Sequence, residues 1–183
     1  MIILRRPSDA DLDHLIDRLT DARPTFDRRH MSQGLYSEDQ CSRLLRPTTT
    51  WDCARHALQD WGAHRAAGVR VRPLTPPIEG QTVALALPIG PMWALGACRV
   101  TLTVDAENEF GFTYATLPVH PEEGEESFVL RRGPDDQVRF HIEVTSRPVD
   151  RLAKLGGPIT RAVQHRVTGR YLDLDGLGTR GRA

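Results

Sequence analysis

Lysine is almost missing from this chain. Lys154 is the only one, so arginine carries nearly all of the 24 basic charges, and 24 acids cancel them. A chain without net charge lacks the basic field that holds nucleic acid or an anionic membrane surface, so neither is expected as a partner. No apolar run approaches the roughly 18 residues that would cross a bilayer as a helix. The opening stretch MIILRRPSDADLDHL has neither the apolar core nor the cleavage pattern of a secretory signal, so a cytoplasmic location is expected. Cysteine is scarce too. Cys41, Cys53 and Cys98 are odd in number and not spaced as metal ligands, which predicts free thiols in a reducing compartment, Cys98 as a small buried filler. There is no glycine-rich phosphate loop, no nucleophile elbow and no cysteine–histidine signature. No cofactor and no metal site are expected.

What is present reads as one domain over 1–172 followed by a flexible, polar, glycine-rich tail, 173–183, with 1–50 the hardest part to read. Ser8 before Asp9-Ala10-Asp11 is an N-cap with acids in the first turn, and Leu12, Leu15, Ile16 and Leu19 give the following helix one apolar face to about Ala22. Residues 23–50 show no sustained period and read mostly as loop. Trp51–Ala67 reads as a second helix with Ala54, Ala57, Leu58 and Trp61 inward, His64 on the same face, and Gly68 closing it. The period then changes to two. Six strands follow at hairpin spacing: Val69–Arg72, Thr82–Leu87, Trp93–Val104, Phe110–Leu117, Ser127–Arg131 and Gln137–Thr145. Within the third, Cys98, Val100, Leu102 and Val104 alternate with Arg99, Thr101 and Thr103. Ser146-Arg147-Pro148 reads as the start of a last helix, with Leu155, Ile159, Val163, Val167 and Tyr171 as its apolar face and Gly156-Gly157-Pro158 kinking it. Helices, a strand meander and a long closing helix give an α+β order. A six-stranded curved antiparallel sheet wrapped around that helix is the helix-grip arrangement, which tends to leave an apolar cavity; a solid two-layer sandwich is the alternative.

The chemistry concentrates in Gly111–Phe128, GFTYATLPVHPEEGEESF. Strand parity puts Phe112, Tyr114 and Thr116 on one face, an aromatic wall carrying two hydroxyls. His120 can exchange protons at cellular pH, and Glu122 or Glu126 can orient it or raise its pKa; a turn histidine capping the loop is the bland reading. Four glutamates cannot all be ionised in a dry pocket. By alternation with Phe128 and Leu130, Glu126 is the inward one, and a buried glutamate needs a partner, for which Arg99 or Arg147 is available. One histidine beside these acids is too few neutral ligands for a zinc-type site.

This stretch resembles the uncharacterised DUF1990 family. The shared features are Cys98-Arg99-Val100, Gly111-Phe112 with Tyr114, Thr116-Leu117-Pro118, His120-Pro121-Glu122, Gly124-Glu125-Glu126 with Phe128, and Ser146-Arg147-Pro148. Trp61 with His64, and Gln164 with Arg170-Tyr171, fit more weakly, and the likeness spans residues 50–172. The family is similar in fold to the birch-pollen-allergen and START-like superfamily, which implies a helix grip and includes carriers, polyketide cyclases and other enzymes without cofactor. The chain departs from the family where Ala115 and Val119 replace glycines and where Pro47–Thr50 replaces a glycine-rich turn, so a reshaped pocket with a different ligand is expected.

The resulting expectation is a protein that binds a small apolar or aromatic metabolite, leaning to a cofactor-free cyclase, isomerase or hydratase. His120 would be the acid–base group, Glu126 its charge partner and Tyr114 a donor to a carbonyl or enolate oxygen. Arg99, Phe112, Thr116, Glu122, Phe128, Trp61, His64, Ser146 and Arg147 would line the site. A carrier or sensor, or a solid interaction module, are the alternatives, and assembly as a homodimer stays open.

Overall fold

The computed structural model describes residues 1–31, 36–149 and 167–175. In chain order the elements are β1 (Ile2–Ile3), α1 (Asp9–Leu19), a tight helical turn (Arg28–His30), β2 (Ser37–Leu44), α2 (Trp51–Gln59), α3 (Gly62–Ala66), β3 (Arg70–Arg72), β4 (Thr82–Ile89), β5 (Met92–Asp105), β6 (Glu109–Thr116), β7 (Glu122–Arg132) and β8 (Val138–Pro148). The strands make one antiparallel sheet of eight, in the order β2-β8-β7-β6-β5-β4-β3, with β1 beside β5. From β3 to β8 each strand pairs with the next, as hairpin spacing dictates. β6 leaves β5 after the Cys98–Thr116 pair, and β1 takes the vacated edge at Trp93 and Ala94.

Both faces of the sheet are covered. On one, which we call the inner face, Val83, Cys98, Val100, Phe112, Tyr114, Phe128, Leu130, Phe140 and Ile142 pack against Trp51, Ala54 and Leu58 of α2, Ala63 of α3, and Trp61 between them. Tyr171, in a helical segment over 167–171, and Leu174 close on the same core. On the outer face the small side chains Ala84, Ala86 and Ala97 let Leu12, Leu15 and Leu19 of α1 come close. The Ser8 hydroxyl accepts from the Asp11 amide and the Asp11 carboxylate accepts from the Ser8 amide, a closed capping box that fixes where α1 begins. This is the α+β helix-grip class read from the element order, with eight strands instead of six.

Four local readings change. The stretch read as loop contains β2, whose residues are mostly exposed; an edge strand held by backbone pairing to β8 has no need of alternating apolar residues. The expected single helix from Trp51 breaks because Trp61 is left-handed, at φ 57°, and α3 starts afresh after it. The acidic run is itself strand from Glu122, and Ser146-Arg147-Pro148 ends β8 opposite it, so those residues start no helix. A bulge between Val100 and Leu102 shifts the face of everything beyond, which leaves Leu102 half exposed where simple alternation would bury it. Most of the expected closing helix, 150–166, lies outside the described residues. Leu174, assigned to the tail, is buried, and Asp173 and Asp175 beside it bind Arg43 and the Arg46 amide.

Candidate functional site

Strand register makes Tyr114 on β6 and Glu126 on β7 direct cross-strand partners on the inner face. The Tyr114 hydroxyl donates to Glu126 Oε2 at 2.6 Å. Burial pushes the Glu126 carboxyl up to about 7, and repulsion from Glu122 on the same strand face adds to it, while the Tyr114 bond holds it down. The same burial keeps the Tyr114 phenol protonated, well above its ordinary 10. Behind Tyr114 stands His64 of α3, fully buried, its Nε2 at 3.1 Å from the phenol oxygen. Burial lowers His64 to about 3, so it is a neutral imidazole. Trp61, Phe112, Phe128 and Tyr171 surround its ring, with centroids at 5.1, 6.3, 4.9 and 5.1 Å.

Glu126 differs from its two neighbours in keeping accessible surface. Leu87, His120, Glu122 and Val144 are likewise half-buried toward that end of the sheet, whereas the Phe112–Phe128–Phe140 side is closed. Among the described residues no donor reaches Glu126 Oε1. The carboxyl thus has Oε2 held by Tyr114, in a residue that keeps part of its surface accessible.

His120 is placed differently from expectation. It closes a turn, its amide donating to the Leu117 carbonyl at 3.2 Å, and its Nδ1 lies 2.9 Å from the backbone carbonyl of Glu122. The ring lies flat on β5 where residue 96 is glycine; a Cβ there would stand 2.1 Å from the ring's Cδ2. Burial lowers His120 to about 4, opposite to the rise expected from nearby acids. Its bond is to the backbone of Glu122, and the Glu126 carboxyl pairs with Tyr114.

The two arginines offered as partners of Glu126 are elsewhere. Arg99 donates to the carbonyls of Leu19, Thr20 and Ala22, tying down the end of α1 on the outer face. Arg147 holds Glu123 at 2.9 Å and lies over the Tyr36 ring, also outside. The glutamate–arginine tie expected of Glu126 therefore occurs at Glu123, one parity step away, with Arg28 doing the same for Glu125. The Thr116 hydroxyl is spent on the Gly124 backbone and on Thr25, and Ser146 is buried opposite Gly124. Phe112, Phe128 and Trp61 form the wall behind the pair. Ala115 pairs with Arg99 and Glu125 on the opposite face, and Val119 is 40% exposed, so neither departure from the family reshapes the inner face.

Tyr171, read as helix face and as a weaker family feature but not as part of the site, has its phenol interacting with Tyr114 and Glu126. Cys98, read as filler, has its thiol within the field of Glu126 and Glu122 and is kept neutral by burial. Both carry a family feature, but their place beside Glu126 follows from register and from the return of the chain. Among the described residues no group of three acids, histidines or cysteines is arranged for a metal, and no helix is long and apolar enough to cross a membrane.

The chain is similar to a UPF0548 protein of Deinococcus radiodurans, 28% identical over 191 residues, covering 93% of this chain and 95% of that one. Among solved structures it is similar in fold to hypothetical protein jhp0584 of Helicobacter pylori, at TM-score 0.59 and 8% identity over 86% of this chain and 96% of that one. It is also similar to the Zhui aromatase/cyclase of Streptomyces sp. R1128, at TM-score 0.53 and 14% identity over 81% of this chain and 97% of that one. At such identities these likenesses concern the fold alone. The family model described as "Domain of unknown function (DUF1990)" matches residues 21–174, and the chain belongs to that family.

Proposed function

We propose that this protein binds a small, largely apolar molecule on the inner face and moves a proton of that molecule with Glu126. The observation that carries the reading is the Tyr114–Glu126 pair: a carboxyl on the inner face, pushed up to about 7, with Oε2 fixed by the phenol and part of the residue's surface accessible. A base works best when its pKa lies near the working pH, because it is then ionised often enough and still strong enough. As carboxylate, Glu126 takes a proton from a carbon next to a carbonyl; the C–H pair becomes the enolate, and the same oxygen returns the proton to another carbon. That step serves an isomerase or a cyclase without a cofactor. A fold relative that bears the name aromatase/cyclase fits this class of substrate. The acid–base role passes from His120 to Glu126, since burial lowers His120 to about 4, which makes it a weak base, and its Nδ1 is bound to its own turn. Tyr114 supports the carboxylate and is not free to donate to the substrate.

The test is deuterium uptake by 2-tetralone, an aromatic ketone with acidic α-hydrogens, followed by proton NMR in deuterium oxide. The protein is expected to speed exchange above the buffer rate, and Glu126→Gln to lower that gain by about 10²–10⁴-fold. Exchange at the buffer rate with tetralone bound would overturn the proton-transfer reading and leave a carrier.

A further inference from the structure

His64 has one nitrogen against Tyr114 and the other, Nδ1, buried without a partner among the described residues. A neutral imidazole carries a single N–H, so the two nitrogens cannot play the same role. With the hydrogen on Nε2, His64 donates to the Tyr114 oxygen, and Tyr114 sends its own hydrogen to Glu126 Oε2. With the hydrogen on Nδ1, that N–H is buried among rings with no acceptor among the described residues, and bare Nε2 draws the Tyr114 hydrogen away from Glu126. A buried N–H without an acceptor is the rarer and costlier orphan of the two.

We propose that His64 is a positioning residue that carries its hydrogen on Nε2 and so fixes the donor direction His64 to Tyr114 to Glu126, holding Glu126 as an acceptor. Donation into the Tyr114 oxygen makes its hydroxyl a better donor in turn, which favours the carboxylate form. The placement depends on the helix break: Trp61 is left-handed, its indole Nε1 donates to the Thr75 carbonyl at 2.9 Å, and α3 then aims His64 at the phenol. The other titratable groups around the carboxyl are Cys98 on β5, Glu122 on β7, Cys41 on β2 and Tyr171. None of them bonds His64 in place of Tyr114. The service of this chain to catalysis rests on the proton-transfer reading above; its direction rests on no ligand.

The experiment is nitrogen-15 NMR of the full chain with labelled histidine at pH 8, the His64 signal assigned by its loss in His64→Gln. The expected result is hydrogen on Nε2 and a bare Nδ1; hydrogen on Nδ1 overturns the proposal. The second measurement is the Glu126 titration midpoint by carbon-13 NMR in His64→Phe, expected to rise by roughly half a unit or more as the donor into Tyr114 is lost. His64→Gln, whose amide can donate from the same place, should restore most of the shift, and an unmoved or lowered midpoint in His64→Phe contradicts the proposal. Should His64→Phe fail to fold, the tautomer in the unaltered protein decides. Tetralone exchange failing while Nε2 carries the hydrogen would remove the proton-transfer reading and leave the positioning intact.

Discussion

Glu126 sits between two opposing costs. Ionised, it must give up water in a deep site; protonated, it no longer accepts the full strength of the Tyr114 bond. Burial wins by a margin that leaves the midpoint near neutrality, and that margin is what suits the group to proton exchange. The inward direction of Glu126 is legible from alternation with Phe128. Its partner is not, because Tyr114 is chosen by register and the arginines are removed by parity: Arg99 and Arg147 lie on the other face of their strands. His120 looked the stronger group because residue type alone suggests an acid–base role, while the glycine beneath its ring and the backbone carbonyl at Nδ1 appear only in three dimensions. Val119 is a second residue-scale case. It is β-branched yet left-handed, at φ 74°, where glycine is at ease. Because its side chain is exposed and outside the site, Val119→Gly is expected to stabilise the fold by about 1 kcal/mol, measured as a rise in the urea midpoint with unchanged slope.

At the scale of elements, what the sequence shows well is what periodicity and capping govern: α1 from its capping box, and β3 to β8 from alternation. What it hides is governed by backbone. β2 has no apolar rhythm since its bonds to β8 hold it; the bulge at Val100–Leu102 flips a face without changing composition; and α2 stops at Gln59, before the left-handed Trp61, although its apolar stripe continues to His64. Gly62 is the residue that permits this break, since a Cβ there would lie 2.5 Å from the Ala57 carbonyl oxygen. Gly62→Ala should therefore cost about 2–4 kcal/mol and loosen the seat of His64. Thermal unfolding measures the first effect, and the histidine-64 nitrogen signals the second.

At the scale of the whole molecule, charge is sorted by face. Outer-face acids of the β7 run, Glu123 and Glu125, are matched with Arg147 and Arg28, while on the inner face Glu126 is bonded by the neutral Tyr114 phenol, with Glu122 on the same strand face. Stability should then depend on pH through buried groups. The folded pKa of Glu126, about 7, lies above its ordinary 4.5, so its contribution is complete below 4.5 and is lost as pH rises through 7. The loss amounts to about 3 kcal/mol at most. His64 and His120 act with the opposite sign: each is depressed below 6.5, so stability is present above 6.5 and falls away in acid. Glu126→Gln isolates the first effect. Denaturant unfolding of the variant should gain about 3 kcal/mol on the unaltered protein between pH 4.5 and pH 8, and parallel curves would count against a buried carboxyl. The most direct measurement is a carbon-13 NMR titration of the Glu126 carboxyl, assigned by its absence in Glu126→Gln. The midpoint should fall near 7 and climb further in Tyr114→Phe, where the bond favouring the carboxylate is gone. A midpoint near the ordinary 4.5, unmoved by Tyr114→Phe, would contradict the account.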